Sequence, residues 1–153
     1  MNAEQLHHFK TITLEYFGKL TEKDDTPALE EAFMQFDEPV LLDYTSMVTI
    51  TGECDGCIYM TSNSQMLEQI LSIHGELELS DRTRMDMCRE FSNVLAGNAS
   101  NAFGSNWQIS VPRSMNREEF AGVNLPPSTF IMPIAWKEGK SYLVVGLSKA
   151  QEK

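Results

Sequence analysis

One stretch of the chain, Asp86-Met87-Cys88-Arg89-Glu90-Phe91-Ser92-Asn93-Val94-Leu95-Ala96-Gly97-Asn98-Ala99, has residue types and spacings that could do chemistry. Wound into a helix at about 100° per residue, it brings Asp86, Glu90, Asn93 and Gly97 within about 60° of one another. Met87, Phe91, Val94, Leu95 and Ala102 cluster roughly 120° away. If that apolar stripe packs on a sheet, two acids, an amide and a glycine are left outside. A carboxamide is no strong base, but it donates and accepts hydrogen bonds at once, which is what holding a water in place requires. An ionised carboxylate only accepts, and suits a charge-assisted contact with a cation. Gly97 costs the helix about 1 kcal/mol relative to alanine, which fits a surface kept clear for close approach.

Other chemistries have less to stand on. The chain has no G-x-S-x-G elbow, no glycine loop followed by lysine to cradle phosphates, and no H-E-x-x-H pair. Cys54-Asp55-Gly56-Cys57 is a C-x-x-C pair, but a structural zinc site wants four ligands, and Cys88, His7, His8 and His74 show no paired spacing to complete one. Redox thiols of this type usually sit at a helix N-terminus, whereas these flank a turn signal. His7 and His8 are adjacent on a helix and face different ways. Cys88 reads as a small packing residue, and the methionines, Met85 and Met87 included, as core fillers.

The elements that must position this face can be read from periodicity. Leu6, Phe9, Ile12, Thr13, Tyr16, Phe17 and Leu20 recur at helical spacing, predicting an amphipathic helix over Ala3 to Leu20, followed by a polar turn from Thr21 to Thr26. Ala28 to Phe36 has helical spacing between strand-like flanks and stays unassigned. Tyr44 to Thr51 and Cys57 to Thr61 read as a hairpin with Asp55-Gly56 at the turn. Gln65 to His74 reads as a short helix ended by Gly75. Ser80 suits an N-cap and Asp81 the first turn of the longest helix, ending near Gly104. Trp107 to Val111 is a predicted strand and Pro112 to Ser128 is loop-like. Thr129 to Trp136 and Ser141 to Ser148 form a second strand pair around Glu138-Gly139, with Pro133 pointing to a sheet edge or bulge.

Helices and antiparallel hairpins in separate blocks predict one α+β domain over residues 1–153, a two-layer arrangement of antiparallel sheet against long helices. At 153 residues and 42% hydrophobic composition the chain can bury a core without disulfide or metal staples. It has no apolar run long enough to span a membrane and no leader-like N-terminus. The net charge of −10, from 22 acidic and 12 basic residues, disfavours nucleic acid and anionic membranes as partners. Three cysteines without an export signal fit a reducing, cytoplasmic setting.

Asp86-x-x-x-Glu90-x-x-Asn93 resembles the D/S-x-x-x-E-x-x-N signature of the CheC/CheX/FliY phosphatase family, and Leu95-Ala96-Gly97-Asn98-Ala99 resembles the small-residue continuation of its CheX branch. E-x-x-N alone recurs about once by chance in a chain of this composition, so the surrounding pattern carries the resemblance. The order of elements is similar over most of the chain. Ile109-Ser110-Val111-Pro112 is similar to the strand and proline that follow the motif, although the proline comes early and Arg113 replaces the usual second one. No second copy accompanies Glu15, whose partners would be Thr11 and Gly18, so a single active surface is expected.

The resemblance implies a phosphatase acting on the aspartyl phosphate of a phosphorylated CheY-like receiver in chemotaxis or two-component signalling. Asn93 would orient the attacking water and Glu90 would contact the receiver's lysine, while Asp86 and Gly97 would serve docking. It implies no cofactor of the chain's own, because the receiver supplies Mg2+, and it implies a homodimer, for which hairpin strands could pair across a two-fold axis. The competing readings are a non-catalytic module that docks a receiver or flagellar protein, and a C-x-x-C metal or thiol protein.

Overall fold

A computed structural model describes residues 3–34, 39–102 and 106–149. The end of the longest helix near Gly104, and Phe36 of the unassigned segment, lie outside the described residues. The predicted helices form where the apolar spacing placed them: α1 (Ala3–Leu20), α2 (Ser64–Ile73) and α3 (Asp81–Ala102). All three lay their apolar stripes on one face of a single antiparallel sheet.

Among the described residues that sheet has eight strands. β3 (Tyr44–Gly52) pairs with β4 (Cys54–Ser62), and β4 with β8 (Gly139–Lys149), which in turn pairs with β7 (Phe130–Trp136). The border beyond β7 consists of β1 (Ala28–Leu29) and β2 (Phe33–Met34), and the border beyond β3 of β5 (Trp107–Ile109) and β6 (Arg113–Ser114). The two-layer α+β architecture is the one expected. The segment left unassigned resolves into the two fragments β1 and β2, its helical spacing overridden by pairing with β7. Pro133 lies inside β7, where its carbonyl accepts from Glu30 N–H (2.9 Å) in the gap between β1 and β2. The missing N–H of proline thus falls at an interrupted border rather than against a continuous strand.

The first hairpin forms, but its turn does not fall at Asp55-Gly56. Ile50 pairs with Gly56, so the chain reverses around Glu53 and Gly56 lies within β4. With φ at 149°, Gly56 serves a close backbone approach: a Cβ there would stand 1.9 Å from the Gly146 carbonyl oxygen of β8. The turn signal was real conformational information put to another use.

The helical face covers the larger core, with Phe9, Phe17, Ile50, Ile58, Met60, Leu67, Ile70, Phe91 and Leu95 fully buried or nearly so. On the opposite face a smaller cluster gathers Met47, Cys57, Tyr59, Phe120, Ile131 and Val144. Part of its cover comes from the stretch expected to be loop. It contains β6 and α4 (Arg117–Phe120), nucleated by a capping box in which Asn116 accepts from Glu119 N–H (2.8 Å) and Glu119 accepts from Asn116 N–H (3.2 Å). Phe120 stacks edge-on against Tyr59 with ring centroids 4.6 Å apart. Among the described residues, no helix is long and apolar enough to cross a membrane.

Candidate functional site

The α3 helix starts as its sequence predicts, with Ser80 Oγ accepting from Thr83 N–H (3.2 Å). Arg84 ties that first turn to its surroundings, reaching Glu68 of α2 (2.9 Å), Asp81 (3.2 Å), the Tyr44 hydroxyl (3.2 Å) and the Leu79 carbonyl (2.9 Å).

Small residues seat the helix on β3 and β4. Cys88, Ser92, Ala96 and Ala99 are fully buried, which lets the helix axis come close to the sheet. Cys88 Sγ lies 3.5 Å from the Met60 carbonyl, the packing role expected of it. Ser92 Oγ donates to the Arg89 carbonyl (3.0 Å) and takes its second hydrogen bond, 2.9 Å long, from Ser46 Oγ. Both hydroxyls are inaccessible to solvent, so the bond fixes the rotation of α3 about its axis.

That rotation turns the candidate residues outward. Glu90 and Asn93 are exposed, and among the described residues neither is held by a hydrogen bond or ion pair. Asp86 is also exposed, but its carboxylate is engaged by Arg89 Nη1 at 3.1 Å, a cation that the sequence reading passed over. Gly97 is half-buried, and a Cβ added to it would meet nothing within 4 Å. The chain's own packing therefore does not demand a glycine there. On the buried side Met87, Phe91 and Leu95 behave as expected, whereas Val94 is half-buried. Ala102 is exposed, because burial along the helix ends at Ala99.

The α1 helix flanks this face through an aromatic seam. Tyr16 and Phe17 pack edge-on against Phe91 with centroids 6.0 and 5.2 Å away. Burial pushes the ionisation of the Tyr16 phenol well above its ordinary range, and the nearby Glu90 charge adds to the shift. The proximity of Tyr16 and Glu90 had no local signal in the sequence.

Other features sort themselves away from chemistry. Cys54 and Cys57 lie three residues apart on β4 and pack on opposite faces of the sheet, Cys54 against the larger core and Cys57 in the smaller cluster. Burial raises the Cys57 thiol to about 11 and the Cys88 thiol to about 12, the reverse of a reactive thiolate. Among the described residues, no three His, Cys, Asp or Glu side chains are grouped to hold a metal. A cleft of about 580 Å³ beside the start of α3 is lined by Asp43, Tyr44, Asp81, Met85 and Glu119. Its carboxylates are already committed to Ser64, Arg84 and Asn116. Pro112 lies in the break between β5 and β6, and Arg113 pairs with Met47.

Residues 44–128, more than half of the chain and including all of α3, match the family model described as chemotaxis phosphatase CheX. The fold is shared with chemotaxis protein CheX from Vibrio vulnificus (TM-score 0.75, 18% identity, 95% of this chain and 100% of that one). It is shared likewise with a CheC-like superfamily protein from a Shewanella species (TM-score 0.76, 19% identity, 97% and 99%). The chain covered in a CheX–CheY–BeF3–magnesium complex from Borrelia burgdorferi is a further structural relative (TM-score 0.73, 12% identity, 94% and 97%). No curated protein matches the chain.

Proposed function

The chain belongs to the CheX family of chemotaxis phosphatases, and from that premise we propose that it dephosphorylates the aspartyl phosphate of a CheY-like response regulator by inserting Glu90 and Asn93 of α3 into the receiver's active site. The observation that carries this reading is the pair itself: a carboxylate and an amide one helical turn apart, exposed and unpartnered among the described residues, on a helix whose rotation is fixed from beneath. A side chain that must work inside another molecule has to be free of its own.

An aspartyl phosphate is a reactive anhydride, and its hydrolysis needs an in-line water and neutralisation of the phosphoryl oxygens. The receiver's own Mg2+ and lysine supply the neutralisation. Asn93 accepts from the attacking water and donates to the phosphoryl group, which aligns the water without acting as a base. Glu90 forms a charge-assisted contact with the receiver's lysine and sets the register of the inserted helix. Asp86, already bridged to Arg89, offers a charged rim for docking, and Gly97 leaves room for the receiver backbone.

The reading places the protein in the cytoplasm, where receivers work, and includes a homodimer to be checked by light scattering. The hairpin strands β3, β4, β7 and β8 each have neighbours on both sides, so a two-fold contact cannot run through them in the way the sequence suggested.

The test mixes the purified protein with a panel of phosphorylated receivers and follows phosphate loss. Acceleration by the wild type, abolished in Asn93→Ala with unchanged thermal unfolding, is the expected result. Equal rates for mutant and wild type would remove Asn93 from the chemistry. Binding of the phosphorylated receiver without acceleration would mark a docking module.

A further inference from the structure

Tyr16 on α1 is 8% exposed, and its hydroxyl is buried with no hydrogen-bond partner among the described residues. A phenol in that position is ordinarily satisfied. Its ring cannot swing away to find water, because Phe17 and Phe91 hold it edge-on at 5.5 and 6.0 Å. Phe91 directly follows Glu90, so the seam that fixes the ring holds it against the turn of α3 that carries Glu90. The charge of Glu90 is felt at the phenol. Glu90, exposed and unpaired, has three side-chain torsions with which to reach an acceptor position.

We propose that Tyr16 is the positioning residue for Glu90: when a receiver covers the face of α3, the buried hydroxyl donates a hydrogen bond to one carboxylate oxygen of Glu90 and leaves the other oxygen for the receiver's cation. This rests on the reading of Glu90 given above. Docking strips water from the carboxylate, which then needs a donor from the protein side as well as from the visitor. A donor built into the α1–α3 seam provides it without any movement of backbone. It also confines a flexible glutamate to one rotamer in the complex, which sets the direction of the oxygen left for the receiver's cation. The hydroxyl that is left over in the free protein thereby acquires a use.

The experiment measures affinity of the full chain for a CheY-like receiver carrying beryllofluoride and Mg2+, using wild type, Tyr16→Phe, Glu90→Ala and the double variant. Tyr16→Phe keeps the ring, so the seam stays packed. Its expected thermal midpoint is equal to or above that of wild type, while its affinity falls about tenfold, the effect of losing a hydrogen bond to a charged group. The double variant should bind no more weakly than Glu90→Ala alone. Wild-type affinity in Tyr16→Phe, alongside weakened binding by Glu90→Ala, would overturn the positioning role and leave the reading of Glu90 intact. Full additivity in the double variant would also overturn it, because the hydroxyl would then act through another group. Unchanged binding by Glu90→Ala would sink the reading of the site, and this proposal with it. A readout that does not depend on affinity is the Tyr16 hydroxyl proton in NMR: its exchange with water should slow when the wild type binds the receiver, and identical exchange in the free and bound protein would count against the contact.

Discussion

Ser46 of β3 and Ser92 of α3 share a hydrogen bond 2.9 Å long in a place neither hydroxyl can leave for water. Ser92 lies between Glu90 and Asn93 in the chain and on the other side of the helix, so the bond beneath decides which way the pair above it points. Ser92→Ala should cost about 1–3 kcal/mol, because it strands the Ser46 hydroxyl. The double change Ser46→Ala with Ser92→Ala should cost less than the sum of the singles, as read by urea denaturation.

Gly97→Ala separates stability from docking. The added methyl meets none of the chain's own atoms, and alanine is the better helix former, so unfolding free energy should rise by about 1 kcal/mol. The same methyl stands on the face offered to the receiver. Binding of the beryllofluoride-loaded receiver should weaken even as the thermal midpoint climbs, and unchanged binding would show that Gly97 lies outside the contact.

Gly56→Ala is the opposite case. A Cβ at this position would strike the Gly146 carbonyl oxygen, on a backbone with φ at 149°. The loss should exceed about 4 kcal/mol, the range reserved for backbone strain and overpacking. Chemical denaturation would report it as loss of most of the folded baseline. Gly18→Ala, whose added Cβ meets nothing within 4 Å, should cost nothing in the same assay and serves as the control.

Buried thiols give a pH signature. Cys57 and Cys88 are raised from 9.0 to about 11 and about 12 by burial, so the unfolded chain ionises first as pH rises. A folded pKa above the unfolded one contributes stability that is whole below pH 9 and drains away through the folded values. Replacing both cysteines with alanine should flatten the alkaline limb of the stability curve between those limits. At neutral pH a thiol reagent should label at most Cys54 until the protein unfolds, and rapid labelling of Cys88 would contradict its burial.

What could be read from sequence was what repeats along one element. Asp86, Glu90, Asn93 and Gly97 follow from the pitch of a helix, and all of them lie on one side of α3 as that pitch requires. The hairpins and the N-cap at Ser80 are local patterns too. What escaped was set by partners distant in the chain. Gly56 looked like a turn residue because its freedom at positive φ is visible in sequence, whereas the Gly146 carbonyl that claims it is ninety residues away. Ala28 to Met34 has helical spacing, and only the exposed border of β7 explains why it lies flat. The α4 turn was legible, since Asn116 and Glu119 have capping-box spacing, but a four-residue helix has no periodicity to draw attention to it. Tyr16 beside Glu90 required the packing of two helices.

The sheet's borders carry a consequence for the behaviour of the protein in concentrated solution. Among the described residues, on one side β1 and β2 offer two residues each, and on the other β5 and β6 offer three and two, with Ser110, Val111 and Pro112 between them. A foreign strand seeking to zip onto either flank finds a few rungs and then a gap. The ladder that feeds fibril growth is cut short at both ends, which leaves side-chain complementarity, rather than backbone templating, to govern what this molecule joins.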